Sequence, residues 1–189
     1  MRTPFYTGAG DDGKVRFGGK EIGKDEPVFA LLGELDMLNS VIGWARVEAA
    51  RVKFSGAVVD IAATLEDIQQ TLFVAQAEVA GVGLGHAGAK KQQIRQEHTK
   101  KLERTIATID AVLPKLEHFV LPGGCELASR LEIARAEARA AERAAVTFSK
   151  TQPLSGELLQ FLNRLSSALF ALARRTNAQS GRQETSPTY

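Results

Sequence analysis

A single cysteine, Cys125, stands in the 189-residue chain, so an intrachain disulfide framework is excluded and a cysteine-built zinc site has too few ligands. The usage fits a reducing, cytoplasmic setting. Histidine is almost as scarce. His86, His98 and His118 follow Gly83, Arg95 and Lys115 at a distance of three, so none completes the Glu-x-x-His pair of a di-iron helical bundle. They read as loop or surface histidines, and no arrangement of Cys125 with them forms a thiol-enzyme pattern. Charge of one sign is lacking too: 24 Lys and Arg against 22 Asp and Glu leave +2, too little for a general nucleic-acid or membrane surface. No stretch has the uninterrupted apolar length of a membrane span, and MRTPFYTGAGDD at the start lacks the apolar core of a signal peptide. The expectation is a soluble, unexported, cytoplasmic protein without nucleic-acid or membrane partners.

What is present is helical rhythm. Val28, Leu31, Leu35, Leu38, Ile42, Ala45 and Ala49 alternate spacings of three and four behind Pro27, which suits a first helical turn. The rhythm returns in Val58, Ile61, Leu65, Ile68, Leu72, Ala75 and Val79. A third helix is expected from about Lys90 to Leu116 on Ile94, Leu102, Ile106, Ile109 and Leu116, with Pro114 bending or ending it early. A fifth, from about Gly156 to Ala178, carries Leu158, Leu162, Leu165, Leu169 and Leu172, with Asn163 beside the seam. The pattern predicts one all-α domain over residues 1–189, a five-helix up-and-down bundle with an irregular N-terminal glycine-rich loop at 1–26 and a flexible tail at 179–189. Sustained periodicity in every helix also suits self-association.

The fourth helix organises the chain. Phe119 to Gly124 approaches it through Pro122 and two glycines, and the helix begins near Cys125 or Glu126. Leu127, Leu131, Ala134, Ala138, Ala141, Ala145 and Phe148 form its apolar seam. Arg135, Arg139 and Glu142 lie along one border, turning two cations and a carboxylate toward the same partner. A solvated, ion-paired face is the ordinary outcome for such a border; an anionic ligand or a neighbouring helix is the sharper one. Asp36 and Asn39 border the first seam in the same way, which marks Asp36 as a candidate partner for an arginine.

Glycine-rich stretches imitate phosphate motifs without their settings. Gly8, Gly10 and Gly13 have G-x-G-x-x-G spacing, and Gly8, Gly13 and Lys14 have P-loop spacing, yet Val15 stands where a P-loop needs Ser or Thr. Gly83, Gly85 and Gly88 repeat the dinucleotide spacing behind a helix instead of a strand, so that segment reads as an interhelical loop. What remains is a set of anion-binding and orienting groups: the N-terminal loop, Lys24, Arg135, Arg139, Glu142 and Asn163. Such a set suits a nucleotide if the substrate supplies its own nucleophile.

YTGAGDDGK, KDE at Lys24, LLGELDMLNSVIGWAR from Leu31, FVLPGG from Phe119, IARAEARAAER from Ile133 and FLNRLSSALFALAR from Phe161 together resemble the PduO-type ATP:cob(I)alamin adenosyltransferases. The resemblance implies a five-helix bundle assembled as a homotrimer with sites between subunits. It implies transfer of the 5′-deoxyadenosyl group from ATP, taken with Mg2+, to the cobalt(I) of a reduced corrinoid, with triphosphate released; a noncatalytic corrinoid or nucleotide carrier is the alternative. A reductase and an adenosylcobalamin-dependent enzyme are the implied further partners. Thr7, Gly10, Lys24, Arg139, Glu142, Arg143 and Asn163 match ATP-site positions. Asp36 and Arg135 match a salt-bridging pair across the subunit interface that supports the corrinoid site. Phe119 matches an aromatic that excludes the lower axial ligand of the corrinoid, whereas a lone Phe is ordinarily a core residue. The chain departs from the family at Gly8 and Ala9, where a basic residue and Thr are usual, near Lys14 and Val15, where small hydroxyl residues are usual, and at Met37, where an acidic residue is usual. The tail also lacks the usual Glu and Trp pattern.

Overall fold

Pro27 occupies the first turn of α1 (Pro27–Ala49), where its missing N–H is no loss. Asp60 caps α2 (Ile61–Leu84), its Oδ1 accepting the Ala63 N–H at 3.0 Å. Three further helices follow: α3 (Gln96–Asp110), α4 (Glu126–Ser149) and α5 (Gly156–Gln179). The computed structural model describes residues 5–6, 8–17, 20–54, 56–84 and 92–188. His86, Gly85 and Gly88 of the second glycine-rich stretch lie outside them.

The helical seams are the core. In α4, Leu127, Leu131, Ala134, Ala138, Ala141, Ala145 and Phe148 are all buried, as are Leu158, Leu162, Leu165, Leu169 and Leu172 of α5. α4 packs against α1 on one side and α5 on the other, while α2 packs on α1 and α3 on α5. Four alanines on the α4 seam let both neighbours approach closely, since interaxial distance follows side-chain size at the contact. Each fully buried Leu is worth roughly 1.5–3 kcal/mol relative to exposure, so these seams dominate the stability. Buried Glu78 ties the helices at one end: Oε2 accepts the Ile94 N–H at 2.7 Å, and Oε1 accepts the Ser155 hydroxyl at 2.5 Å. Ser155 in turn caps α5 by accepting the Leu158 N–H at 3.1 Å.

The structure corrects the sequence reading in four places. Residues 14–17 and 20–23 are not irregular: β1 (Lys14–Phe17) and β2 (Lys20–Gly23) pair antiparallel, with Val15 opposite Ile22 and Arg16 opposite Glu21. Two β-branched residues facing each other favour this pairing, but four-residue strands give too short an alternation to stand out. α3 is shorter at both ends than the expected Lys90 to Leu116. Glu78 holds Ile94 in the approach to it, and the residue before Pro114 is biased away from helix, so Val112 and Leu116 are left exposed. His98 is no bystander: its Nδ1 accepts the Arg95 N–H at 2.9 Å and closes the first turn of α3, whereas His118 is exposed. Finally, α1 is long and apolar enough to cross a membrane by length and composition, with a mean hydropathy of 1.3. Its seam from Val28 to Ala45 is instead buried against neighbouring helices, the ordinary place of a core helix.

Of residues 179–189, expected to be a flexible tail, Gln179 ends α5 and residues 182–188 are fastened at two points. The Leu121 N–H donates to the Thr185 carbonyl at 2.8 Å, and Arg174 binds both carboxylate oxygens of Glu184 at 2.5 and 2.9 Å.

Candidate active site

Phe119, Arg135 and Arg139 come together in a cleft of about 350 Å3 between the α4 approach segment, α4 and α5. Glu132, Ser166, Ser167 and Phe170 share the lining, with Leu116, Val120 and Pro122 at the Phe119 side. Helical spacing explains the grouping. Arg135 and Arg139 are four apart on α4, while Ser166 and Phe170 are four apart on α5, so each helix contributes two successive turns. Phe119 is 79% exposed, which sets it apart from a core aromatic. A large aromatic kept at the surface beside two guanidinium groups offers one planar apolar face and two anion-binding forks.

The two arginines differ. Arg135 donates through Nε to Glu132 Oε2 at 2.5 Å, within its own helix, and is partly buried. Arg139 is exposed and, among the described residues, has no carboxylate partner, so its guanidinium is available to a ligand. One turn further along α4, Glu142 Oε1 accepts a hydrogen bond from Asn163 Nδ2 of α5 at 2.7 Å. Arg143 is exposed on the same turn.

Asp36 does not meet Arg135 within the chain. It is exposed on α1 with no ion-pair partner among the described residues. A pairing between them requires a second copy.

The N-terminal segment forms a separate cleft of about 500 Å3, lined by Gly8, Ala9, Gly10, Asp11, Asp12, Lys14, Val15, Arg16 and Glu21. Lys24 Nζ donates to the Gly10 carbonyl at 2.7 Å and so closes the loop onto the hairpin. Gly10 has φ 87°, and an added Cβ there would lie 2.8 Å from the Lys14 carbonyl, so the backbone course requires glycine. Lys14 is neutralised by Glu21 at 3.0 Å across the hairpin, leaving Arg16 as the strand cation beside it. Thr7 lies outside the described residues. The cleft carries Asp11 and Asp12, enough carboxylate for a magnesium ion held mainly by phosphates and water. Among the described residues, no cluster of three His, Cys, Asp or Glu is placed to hold a metal by itself.

Several residues of the site escaped the sequence reading. Glu132 was visible as the i−3 neighbour of Arg135. Ser166, Ser167 and Phe170 fall inside the FLNRLSSALFALAR stretch, but only the cleft singles them out.

A helical bundle with an arginine-lined cleft between two helices, an exposed aromatic in its lining and a hairpin near its N-terminus offers guanidinium forks to an anionic ligand and an apolar face to a planar one. The chain belongs to the cobalamin adenosyltransferase family, whose model matches residues 5–176. A corrinoid adenosyltransferase of Bacillus subtilis is 37% identical over 178 residues, covering 94% of this chain and 88% of that protein. The Salmonella typhimurium corrinoid adenosyltransferase PduO is 36% identical over 90% of this chain, which spans only 48% of that longer protein. Among solved structures, a variant PduO-type ATP:corrinoid adenosyltransferase of Lactobacillus reuteri, complexed with cobalamin and ATP, superposes with a TM-score of 0.84 at 32% identity. The match covers 97% of this chain and 96% of that one. Another variant of that enzyme, complexed with ATP, gives 0.83 at 32% identity over 97% and 99%.

Proposed function

We propose that the chain transfers the 5′-deoxyadenosyl group of ATP to the cobalt(I) of a reduced corrinoid, giving adenosylcobalamin and triphosphate. The observation that carries this reading is the cleft joining exposed Phe119 to Arg135 and Arg139 in a chain of this family. The electron pair of cobalt(I) forms the cobalt–carbon bond while the C5′–oxygen bond breaks, and its pair departs with triphosphate. The substrate supplies the nucleophile, so the chain's own tasks are to align the two reactants and to stabilise charge growing on the leaving group.

The residues divide by chemistry. Arg139 and Arg143 present guanidinium groups to phosphate, Glu142 and Asn163 orient the nucleoside through their shared hydrogen bond, and Gly10 with Lys24 shapes the N-terminal loop around the polyphosphate. Thr7 is assigned to the same ATP site. ATP enters with Mg2+, which offsets phosphate charge as part of the substrate. Phe119 takes the face of the corrin where a lower axial ligand would bind. Loss of that axial ligand leaves cobalt(II) easier to reduce, since an axial donor favours the higher oxidation state.

The working assembly is a homotrimer with sites between copies. Met37, Trp44 and Val47 of α1 and Ile133 and Val146 of α4 are apolar yet exposed, as expected of surfaces that another copy covers. Unpaired Asp36 then meets Arg135 of a neighbouring copy, joining or displacing Glu132. The protein works in the cytoplasm, receiving corrinoid reduced by a reductase and passing product to an adenosylcobalamin-dependent enzyme. Sedimentation at three times the 20.4 kDa chain mass is the expected result, and a monomer under assay conditions excludes the shared site.

Anaerobic incubation with MgATP and cob(I)alamin tests the reaction directly. Adenosylcobalamin and triphosphate should form in equal amounts. Binding of both ligands without transfer identifies a carrier instead, and binding of neither reduces the chain to a structural bundle.

A further inference from the structure

Phe119 lies in a segment without helix or strand, between α3 and α4, and nothing in residues 111–124 makes a regular ladder to hold it. The last turns of α5 hold that segment at both ends. Arg174, whose side chain is 10% exposed, donates through Nη2 to the Pro114 carbonyl at 3.2 Å. The same guanidinium grips both carboxylate oxygens of Glu184. One turn later, Asn177 Nδ2 donates to the Gly123 carbonyl at 2.8 Å while its Oδ1 accepts the Cys125 N–H at 3.0 Å. The C-terminal residues close the remaining gap. The Arg182 N–H donates to the Asn177 carbonyl at 2.9 Å, and the Thr185 carbonyl accepts the Leu121 N–H at 2.8 Å. Ser186 and Pro187 then border the hollow that contains Leu116, His118 and Phe119.

We propose that Arg174, Asn177 and Glu184 are positioning residues for the reaction: through them, residues 182–187 form a strap that fixes where the Phe119 ring stands beside the Arg135 and Arg139 cleft. This rests on the reading of Phe119 as the residue that occupies the lower axial face. A bidentate guanidinium–carboxylate pair whose arginine side chain is only 10% exposed is suited to the task, because it fixes orientation as well as distance. Loss of Glu184 frees both the Arg174 grip and the strand-like contact from Thr185 to Leu121. The Phe119 segment then keeps its Asn177 anchor but loses the constraint two residues beyond the ring. None of these groups touches Gly10, Lys24, Glu142 or Asn163, so the ATP end is not engaged.

The test uses the full chain with cob(II)alamin and MgATP, and compares Glu184→Ala, Arg174→Lys and Phe119→Ala with the parent. The readout is the fraction of bound cob(II)alamin that is four-coordinate, measured by its absorption and paramagnetic resonance spectra. Glu184→Ala should lower that fraction about fivefold while KM for ATP stays within about twofold, and Arg174→Lys, which keeps charge but loses the fork, should fall between. Amide exchange at Leu121 should accelerate about tenfold or more in Glu184→Ala with α4 protection retained, a measurement that needs no activity. If Phe119→Ala lowers the four-coordinate fraction and Glu184→Ala leaves both that fraction and Leu121 exchange at parent values, the strap is overturned and the role of Phe119 stands. If Phe119→Ala itself changes nothing, the reading of Phe119 fails first.

Discussion

Asn163 Nδ2 on α5 donates to Glu142 Oε1 on α4 at 2.7 Å, a polar pair that ties these two helices beside the arginine cleft. The bond is exposed, so its worth to the fold is small, about 1 kcal/mol or less. Its worth to a bound nucleoside is larger, because it fixes two side chains before the ligand arrives. Asn163→Ala should therefore raise KM for ATP about tenfold and leave the melting temperature within a few degrees, as measured by steady-state kinetics and thermal denaturation.

The two ends of the cleft should separate kinetically. Arg139→Ala removes an unpaired phosphate donor and should lower kcat/KM for ATP by about 100-fold, with Arg139→Lys recovering part of it. Phe119→Ala should leave KM for ATP within about twofold while slowing reduction of bound corrinoid, followed by stopped-flow absorbance. Equal losses of ATP affinity in both variants contradict the division of labour.

Gly124→Ala probes the turn that delivers the chain into α4. Gly124 has φ 112°, and an added Cβ would overlap the Asn177 side chain that accepts the Cys125 N–H. Backbone strain of about 1–3 kcal/mol plus the lost bond should lower the melting temperature by about 5–10 °C. The same variant should disturb the corrinoid end of the site more than the ATP end.

Glu78→Ala removes the buried carboxylate that serves both the Ile94 N–H and the Ser155 hydroxyl. Two donors lose their acceptor at once, and the expected cost is about 2–4 kcal/mol in a denaturant titration. Glu78→Gln, which keeps one acceptor, should cost less.

Much of this fold was legible because one rule, apolar residues at spacings of three and four, governs most of it. Leu131, Ala138, Leu165 and Leu169 could be placed in the core from spacing alone, and the structure buries them. The hairpin escaped because its signal is two residues deep, Val15 against Ile22. The early end of α3 was legible in Pro114, although the helix stops sooner still, at Asp110. At the site, Arg135, Arg139 and Glu142 could be grouped by helical phase, but the carboxylate that holds Arg135 within the chain, its helical neighbour Glu132, was not singled out. The strap was invisible for a general reason: Glu184, Thr185 and Leu121 meet through backbone atoms and a long-range ion pair, neither of which leaves a period in the sequence.

Helix α5 holds Asn163 toward Glu142 and Asn177 toward Gly123 and Cys125, so a single rod sets the phase of both. Fourteen residues of ideal helix separate them by about 21 Å and return them to within about 40° of the same direction. Deleting one residue between them would turn one asparagine about 100° away from the other. The length of α5 between these positions is thus a gauge: point substitutions can tune either end independently, but an insertion or deletion must break one of the two attachments.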